Sequence, residues 1–246
     1  MDEEKAIGLV SDVWRFPVKS LGGERLRRAF VGPFGVLGDR RHAVLDEKGR
    51  VLSARLASAL LGFSARYVDG EAADVLQVTT PRGVVVGLDD DAIESELWPI
   101  LDGPGRIVRT AGSVHDIAPI HIVTSTSLGE LGRQVGDEEI DRRRFRANLI
   151  VEPQSPEPFI ESSWVGQRVQ LGDAGPVLDV ISPTERCAVT TFDPDTLERR
   201  PEVHGAIARE RDNFFGVYAS VVRPGWLSVG DSLVAAGDAT GAFASS

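Results

Sequence analysis

The sequence predicts a mainly β chain with some α, folded as two β-barrel-like domains over residues 6–114 and 115–238. Short apolar runs of strand length recur along the 246 residues, and 26 Gly and 14 Pro interrupt them. Only two stretches place apolar residues at helical spacing. Many short strands joined by Gly/Pro turns, with few helices between them, suit barrels.

The first half opens with a strand at residues 7–16. Strands at 26–31 and 41–45 follow, with turns at Gly32-Pro33 and Gly35. Asp46-Glu-Lys-Gly49 has hairpin chemistry, because Gly takes positive φ without strain, and 51–53 returns antiparallel. Runs at 75–80 and 84–88 flank Pro81-Arg82-Gly83 as a second hairpin. Residues 89–101 read as an amphipathic helix, with acidic residues in the first turn and Ile93, Leu97 and Ile100 on one face.

The second half opens near Asp116 with an apolar strand at 117–123. A helix at 124–135 follows, with Ser125 or Thr126 as its N-cap. Strands are expected at 145–151, 164–171 and 177–181, the last two pairing around Gly172-Asp-Ala-Gly175. Residues 197–213 are polar and hold Pro201, which predicts a loop with helical pieces. Residues 215–222 and 226–236 would make a last hairpin through Arg223-Pro224-Gly225. The small, polar tail at 239–246 should fray.

Hydrophobic content of 42% and charged content of 26% are those of an ordinary globular protein. A net charge of -10 argues against a general nucleic-acid binder but leaves room for a local basic pocket. One cysteine excludes an intramolecular disulfide and suits a reducing compartment. The acidic start Met1-Asp-Glu-Glu-Lys5 resembles neither a secretory nor a transit peptide. No apolar stretch approaches the roughly 20 residues that span a bilayer. The expectation is a cytoplasmic protein with no membrane and no nucleic-acid partner.

Cys187 offers the softest metal ligand in the chain, and Arg186 beside it favours the thiolate. On spacing alone the commoner reading is a small buried hydrophobe, since free cysteine is usually buried and inert. There is no CxxC and no HExxH, which argues against an all-protein zinc site. Strand alternation over 145–151 would put Phe145, Ala147, Leu149 and Val151 on one face and Arg146 and Asn148 on the other. A guanidinium beside an amide suits a phosphate or a polar heterocycle, although a solvated strand face has the same pattern. Asp141-Arg-Arg-Arg144 reads as a solvated loop. Pro17 cannot continue a central ladder, so Lys19 and Ser20 fall at a sheet margin. Gly38-Asp-Arg40 and Ser53-Ala-Arg55 could place two guanidiniums at neighbouring strand ends, or simply add surface charge. The four histidines share no ligand spacing, and His121, in an apolar strand, reads as a core residue.

Several of these segments occur in one order: Phe16-Pro-Val-Lys-Ser20, Gly38-Asp-Arg40, Phe145-Arg-Ala-Asn148, Arg186-Cys187, Thr190-Thr-Phe-Asp-Pro-Asp-Thr196 and Val229-Gly-Asp231. Together they resemble MOSC-domain proteins with an N-terminal β-barrel domain. These include the mitochondrial amidoxime reducing components with their bacterial relatives, and the C-terminal parts of molybdenum cofactor sulfurases. The resemblance runs from about Ile7 to Ala236.

It implies a pyranopterin molybdenum cofactor between the two domains, with Cys187 as metal ligand and catalytic residue. It implies cofactor contacts from Lys19, Ser20, Arg40, Arg146 and Asn148, with Arg55 a weaker addition. Ile117 and Ala118 stand where reductase members offer hydroxyls, and Glu185 replaces a small polar residue two before the cysteine. The expected function is a molybdenum-dependent oxidoreductase that reduces N-oxygenated small molecules, with electrons from a separate protein. Two alternatives keep the same cysteine: sulfur transfer through a Cys187 persulfide, and non-catalytic carriage of the cofactor.

Overall fold

A computed structural model of the chain describes residues 6–88, 90, 92–101 and 103–238. The readings of residues 1–5, of Asp89 as a helix start and of the 239–246 tail concern residues outside that set. The first half holds strands β1 (Ala6–Arg15), β2 (Glu24–Leu26), β3 (Arg28–Gly32), β4 (Gly35–Val36), β5 (His42–Asp46), β6 (Val51–Leu52), β7 (Ser64–Tyr67), β8 (Leu76–Thr79), β9 (Val85–Gly87) and β10 (Gly105–Arg109). The second holds β11 (Ile120–Thr124), β12 (Leu149–Pro153), β13 (Gln167–Leu171), β14 (Val177–Glu185), β15 (Phe214–Arg223), β16 (Gly225–Ser228) and β17 (Ser232–Asp238). The α-helices are α1 (Ala92–Leu101), α2 (Ser125–Val135) and α3 (Pro201–Arg211).

Seven strands close into a barrel in the order β12-β11-β15-β14-β13-β17-β1, with β1 pairing back onto β12 and β2 added beside β1. Alternate side chains point inward: Ile120 and Ile122, Val169 and Leu171, Leu178 and Val180, Val217 and Ala219 are all buried in one core. Each such burial stabilises by roughly 1.5–3 kcal/mol. The barrel takes β1 from before residue 115 and its other strands from after it. Smaller sheets β10-β5-β6, β7-β8-β9 and β16-β3-β4 complete the strand pairing. A second core holds Val18, Leu60, Phe63, Val78 and Leu97. Residues of α2 and α3 share a third core with Phe145 and Phe215, whose rings stack 4.5 Å apart. The mainly β, barrel-based reading with some α therefore holds.

Several local expectations do not. The N-cap of α2 is Thr124, whose Oγ1 accepts from Ser127 N at 3.3 Å, because it keeps the extended backbone of β11 that a cap requires. Residues 145–151 are not one strand. Arg142–Phe145 is a 3-10 turn capped by Asp141 and closed by Arg146 at φ 53, and the ladder starts at Leu149. Nor is 141–144 a solvated loop: Arg144 is buried and pairs with Asp193 at 2.8 Å, and Arg143 bridges Asp141 and Asp195. Most of 197–213 is helix α3, since Pro201 stands at its start, where a missing N–H breaks no bond. The last hairpin does not form. β15 pairs with β11 and β14, whereas β16 crosses to β3 and β17 closes the barrel between β13 and β1.

Candidate functional site

One cavity of about 330 Å³ gathers Lys19, Ser20, Arg40, Arg55, Arg146, Asn148 and Cys187 from five separate stretches of chain. Lys19 and Ser20 lie in the turn after β1. There Phe16 N donates to buried Asp39 at 2.7 Å and Lys19 N to His42 O at 2.9 Å. Arg40 follows Gly38, which takes φ 84 and has the Tyr67 ring where a Cβ would stand, 2.7 Å away. Arg40 N then donates to Phe16 O at 2.7 Å, which ties this turn to the first. Ser20 (φ 73), Arg40 (φ 49) and Arg146 (φ 53) all take left-handed backbone, a conformation that costs a non-glycine residue of order 1 kcal/mol or more. Such outliers cluster where a side chain must be aimed at a ligand.

The wall is strongly cationic although the chain is acidic: Lys19, Arg40, Arg55, Arg146 and Arg186 face Asp116 and Glu185. Asp116 accepts from Lys19 Nζ at 2.5 Å and lies 3.6 Å from Arg55. Burial works to raise its carboxyl, but the Lys19 ammonium and the two arginines Arg55 and Arg40 outweigh that and hold it below the usual range. Arg40 pairs with Asp39 and donates to Asn148 Oδ1 at 3.4 Å and Arg146 O at 3.1 Å. Arg146 donates through Nη1 to Leu21 O at 2.6 Å, and its guanidinium stacks 4.4 Å over Phe16. Its Nη2 is shut away from solvent without a hydrogen-bond partner, as is Nε of Arg186. Burial first, then the charge of Arg40, pushes the Arg146 guanidinium down to about 9. Burial lowers Arg186 as well.

Cys187 is half-buried and caps the 3-10 turn Ala188–Thr191. The Thr190 hydroxyl donates to Cys187 O at 3.0 Å and that of Thr191 to Ala188 O at 2.6 Å. Asp193 and Asp195 are taken up by Arg144 and Arg143, so this block fixes the cysteine rather than facing the cavity. Arg55 shares the cavity wall with Cys187, and the charge that the sulfur would carry, with that of Asp116, raises the arginine above its ordinary value. The Asn148 amide is spent on the protein: Oδ1 accepts from His121 N at 3.2 Å and Nδ2 donates to Trp14 O at 3.3 Å. Ser20 Oγ accepts from Ala54 N at 2.9 Å, which leaves its proton free to donate.

His121 is buried, as a core reading requires, but it also lines the cavity. Burial, then Arg186, holds it well below the ordinary imidazole value, and burial lowers His115. Of the departures from the reductase pattern, Ile117 is 64% exposed, Ala118 lines the cavity, and Glu185 is exposed on the wall with Asn213 as its partner at 3.4 Å. Asp116, His115 and Tyr218 also line the cavity and were not singled out by sequence. The available signal for Tyr218 was its place between two inward-pointing aliphatics of β15. Among the described residues no group of three or more His, Cys, Asp or Glu could hold a metal ion, so a metal at Cys187 would need ligands beyond the side chains. No helix of the described residues is long and apolar enough to cross a membrane.

The family described as MOSC N-terminal beta barrel domain matches residues 7–97, and that described as MOSC domain matches 110–234. Mitochondrial amidoxime reducing component 2 of Bos taurus is 25% identical over 288 residues, covering 92% of this chain and 82% of the relative. The protein of the same name from Rattus norvegicus is 25% identical with the same coverage. The crystal structure of the YuaD protein from Bacillus subtilis superposes with a TM-score of 0.51 at 15% identity, covering 92% of this chain and 93% of its own, which shows a shared fold. The MOSC match alone spans more than half of the 246 residues, with the MOSC N-terminal beta barrel match ahead of it, and the chain belongs to the MOSC-domain family.

Proposed function

We propose that this chain binds a pyranopterin molybdenum cofactor and reduces N-oxygenated small molecules, with Cys187 as the protein's ligand to the metal. The observation that carries this reading is the donor set. Arg146 Nη2 and Arg186 Nε are buried without partners in a cavity whose wall also holds the chain's one thiol. Guanidinium charge buried without full pairing costs stability, and an anion bound in the cavity beside it would offset that charge. A soft sulfur beside an anion cradle suits a soft metal carried on an anionic organic group. The cavity volume lies at the small end of the roughly 300–1,000 Å³ that ligand pockets occupy.

When bound, the cofactor would supply a metal centre that exchanges two electrons. The chain supplies binding and orientation. Lys19, Arg40 and Arg146 would neutralise the phosphate, Ser20 can add a donor, and Asn148 holds Arg40 in place. Arg55 would set a positive charge on the same wall as the sulfur that would ligate the metal. The names of the two mammalian relatives support an N-oxygenated substrate. A separate protein would deliver electrons, and residues 6–114 and 115–238 would form the two units around the cofactor.

Sulfur transfer through a Cys187 persulfide would use the same Arg55 charge, but it leaves the buried guanidiniums of Arg146 and Arg186 without a purpose. The test is Cys187→Ser, made with the wild type in a host that synthesises the cofactor. Pterin, metal, the metal's spectrum and turnover with an artificial donor are measured on one preparation. The reading expects pterin retained, turnover lost and the spectrum changed. Wild-type turnover with an unchanged spectrum would remove Cys187 from the metal. Full loading of the wild type with no turnover would favour the carrier.

A further inference from the structure

Tyr218 is a wall residue that the cofactor reading leaves without a task. It stands on β15 between Val217 and Ala219, which point into the barrel core, so its ring faces the other way, onto the cavity. It pairs with His121 in the β11–β15 ladder, and the two rings lie 5.6 Å apart. His121 is itself fixed by its ring contact to Phe215 O at 3.4 Å, which gives the phenol a rigid backing.

The Tyr218 hydroxyl has no hydrogen-bond partner among the described residues. It is not sealed in either, being absent from the buried polar atoms left unpaired. It is thus a free donor opening onto the cavity. Of the other polar groups on that wall, Lys19 pairs with Asp116, Arg40 with Asp39 and His115 with Phe34 O, and the free proton of Ser20 is the donor already offered to the cofactor. The orphaned arginine nitrogens carry charge and suit an anion. The phenol is neutral, and burial keeps it so by raising its pKa against the pull of Arg186. Tyr218, Arg55 and Cys187 line the same cavity, so a ligand held by the hydroxyl shares its space with the sulfur.

We infer that Tyr218 Oη is the hydrogen-bond donor that holds the oxygen of a neutral N-hydroxylated substrate beside Cys187. This rests on the reductase reading and adds a residue that recognises the substrate. An N–O oxygen offers lone pairs to the phenol, and the reduced product has lost that oxygen. The same contact therefore selects substrate over product and lets the product leave. A site built around such a donor discriminates against ligands that lack its partner.

The test uses cofactor-loaded, oxidised protein with no electron donor, so that binding is read without turnover. An aryl N-hydroxyurea and the matching aryl urea, both neutral, are titrated calorimetrically into wild type and Tyr218→Phe, with pterin and metal measured on each. The expected result is a preference of about five- to tenfold for the N-hydroxy compound in the wild type, the worth of one net hydrogen bond. In Tyr218→Phe that preference falls to near one, cofactor content is unchanged, and KM for the N-hydroxy compound rises by a similar factor. If wild type reduces the compound and the preference survives in Tyr218→Phe, the Tyr218 assignment is overturned and the reductase reading stands. A Tyr218→Phe protein that loses its pterin overturns the assignment too, by giving the hydroxyl to the cofactor. A loaded wild type that neither binds nor reduces the N-hydroxy compound overturns the reductase reading, and this assignment with it.

Discussion

Arg146→Met separates a residue kept for a ligand from one kept for the fold. Burial and the neighbouring Arg40 push the Arg146 guanidinium down to about 9, and each tenfold change in proton affinity is about 1.4 kcal/mol, so holding this charge unpaired costs at most roughly 5 kcal/mol. Against that stand one hydrogen bond from Nη1 to Leu21 O at 2.6 Å and the stack on Phe16 at 4.4 Å. Together these return roughly 2–4 kcal/mol. Methionine keeps much of the apolar stem and removes the charge. Cofactor-free Arg146→Met is therefore expected to be as stable as wild type or up to about 2 kcal/mol more stable. The control is Arg144→Met. Arg144 is 4% exposed, pairs with Asp193 at 2.8 Å and donates to Thr191 O at 3.2 Å. Its loss leaves a partner stranded and should cost about 3 kcal/mol. Urea unfolding of the cofactor-free proteins, compared at constant m, reads both values. Pterin content in a cofactor-competent host should fall sharply for Arg146→Met. If Arg146→Met destabilises the cofactor-free protein as much as Arg144→Met does, the charge is structural and the reasoning fails.

Three further outcomes follow from the same geometry. Burial pushes His42 down to about 4, so the folded state stays neutral while the unfolded chain takes a proton below its ordinary value near 6.5. Its stability contribution is thus complete above that value and is lost as pH falls towards 4, by about 2 kcal/mol at pH 5. Urea midpoints at pH 7.5 and 5 should lie closer together in His42→Gln, and an unchanged gap would count against this. Gly216 has φ 80, and a Cβ there would sit 2.6 Å from both His121 Nε2 and Ile122 O. Gly216→Ala should cost more than about 2 kcal/mol by thermal or urea melts, since strain and clash add; a neutral result would show that this corner yields. Asp116→Asn removes the carboxylate that competes for Lys19 and Arg55. Phosphate binding by cofactor-free protein should tighten about three- to tenfold at low salt, and weaker binding would make Asp116 an organiser instead.

Local chemistry was legible in the sequence wherever it was local in the fold. Asp46-Glu-Lys-Gly49 does make a turn: Gly49 takes φ 75 and Asp46 Oδ1 accepts from Lys48 N and Arg50 N. The alternation of Val169 and Leu171 does point inward. Closure of the barrel was not legible, because β17 and β1 pair across more than 200 residues, and nothing in 226–236 distinguishes a hairpin from that long return. The site shows the same division. Motif order drew together Lys19, Arg40, Arg146 and Cys187, and they line one cavity. Strand alternation does not aim Arg146, which closes a 3-10 turn in left-handed backbone ahead of the strand. Asp116 and Tyr218 escaped notice because a loop carboxylate and an aromatic in an apolar strand look ordinary until the cavity they face is known.

The central claim is that this cavity holds a molybdenum cofactor through its cations and Cys187. Metal and pterin analysis of wild type purified from a cofactor-competent host tests it most directly, with Arg146→Met prepared alongside. The account predicts molybdenum and pterin in near-equal amounts, approaching one per chain in the wild type and falling steeply in Arg146→Met while that protein stays folded. Folded wild type without pterin, or pterin content indifferent to Arg146, would contradict it.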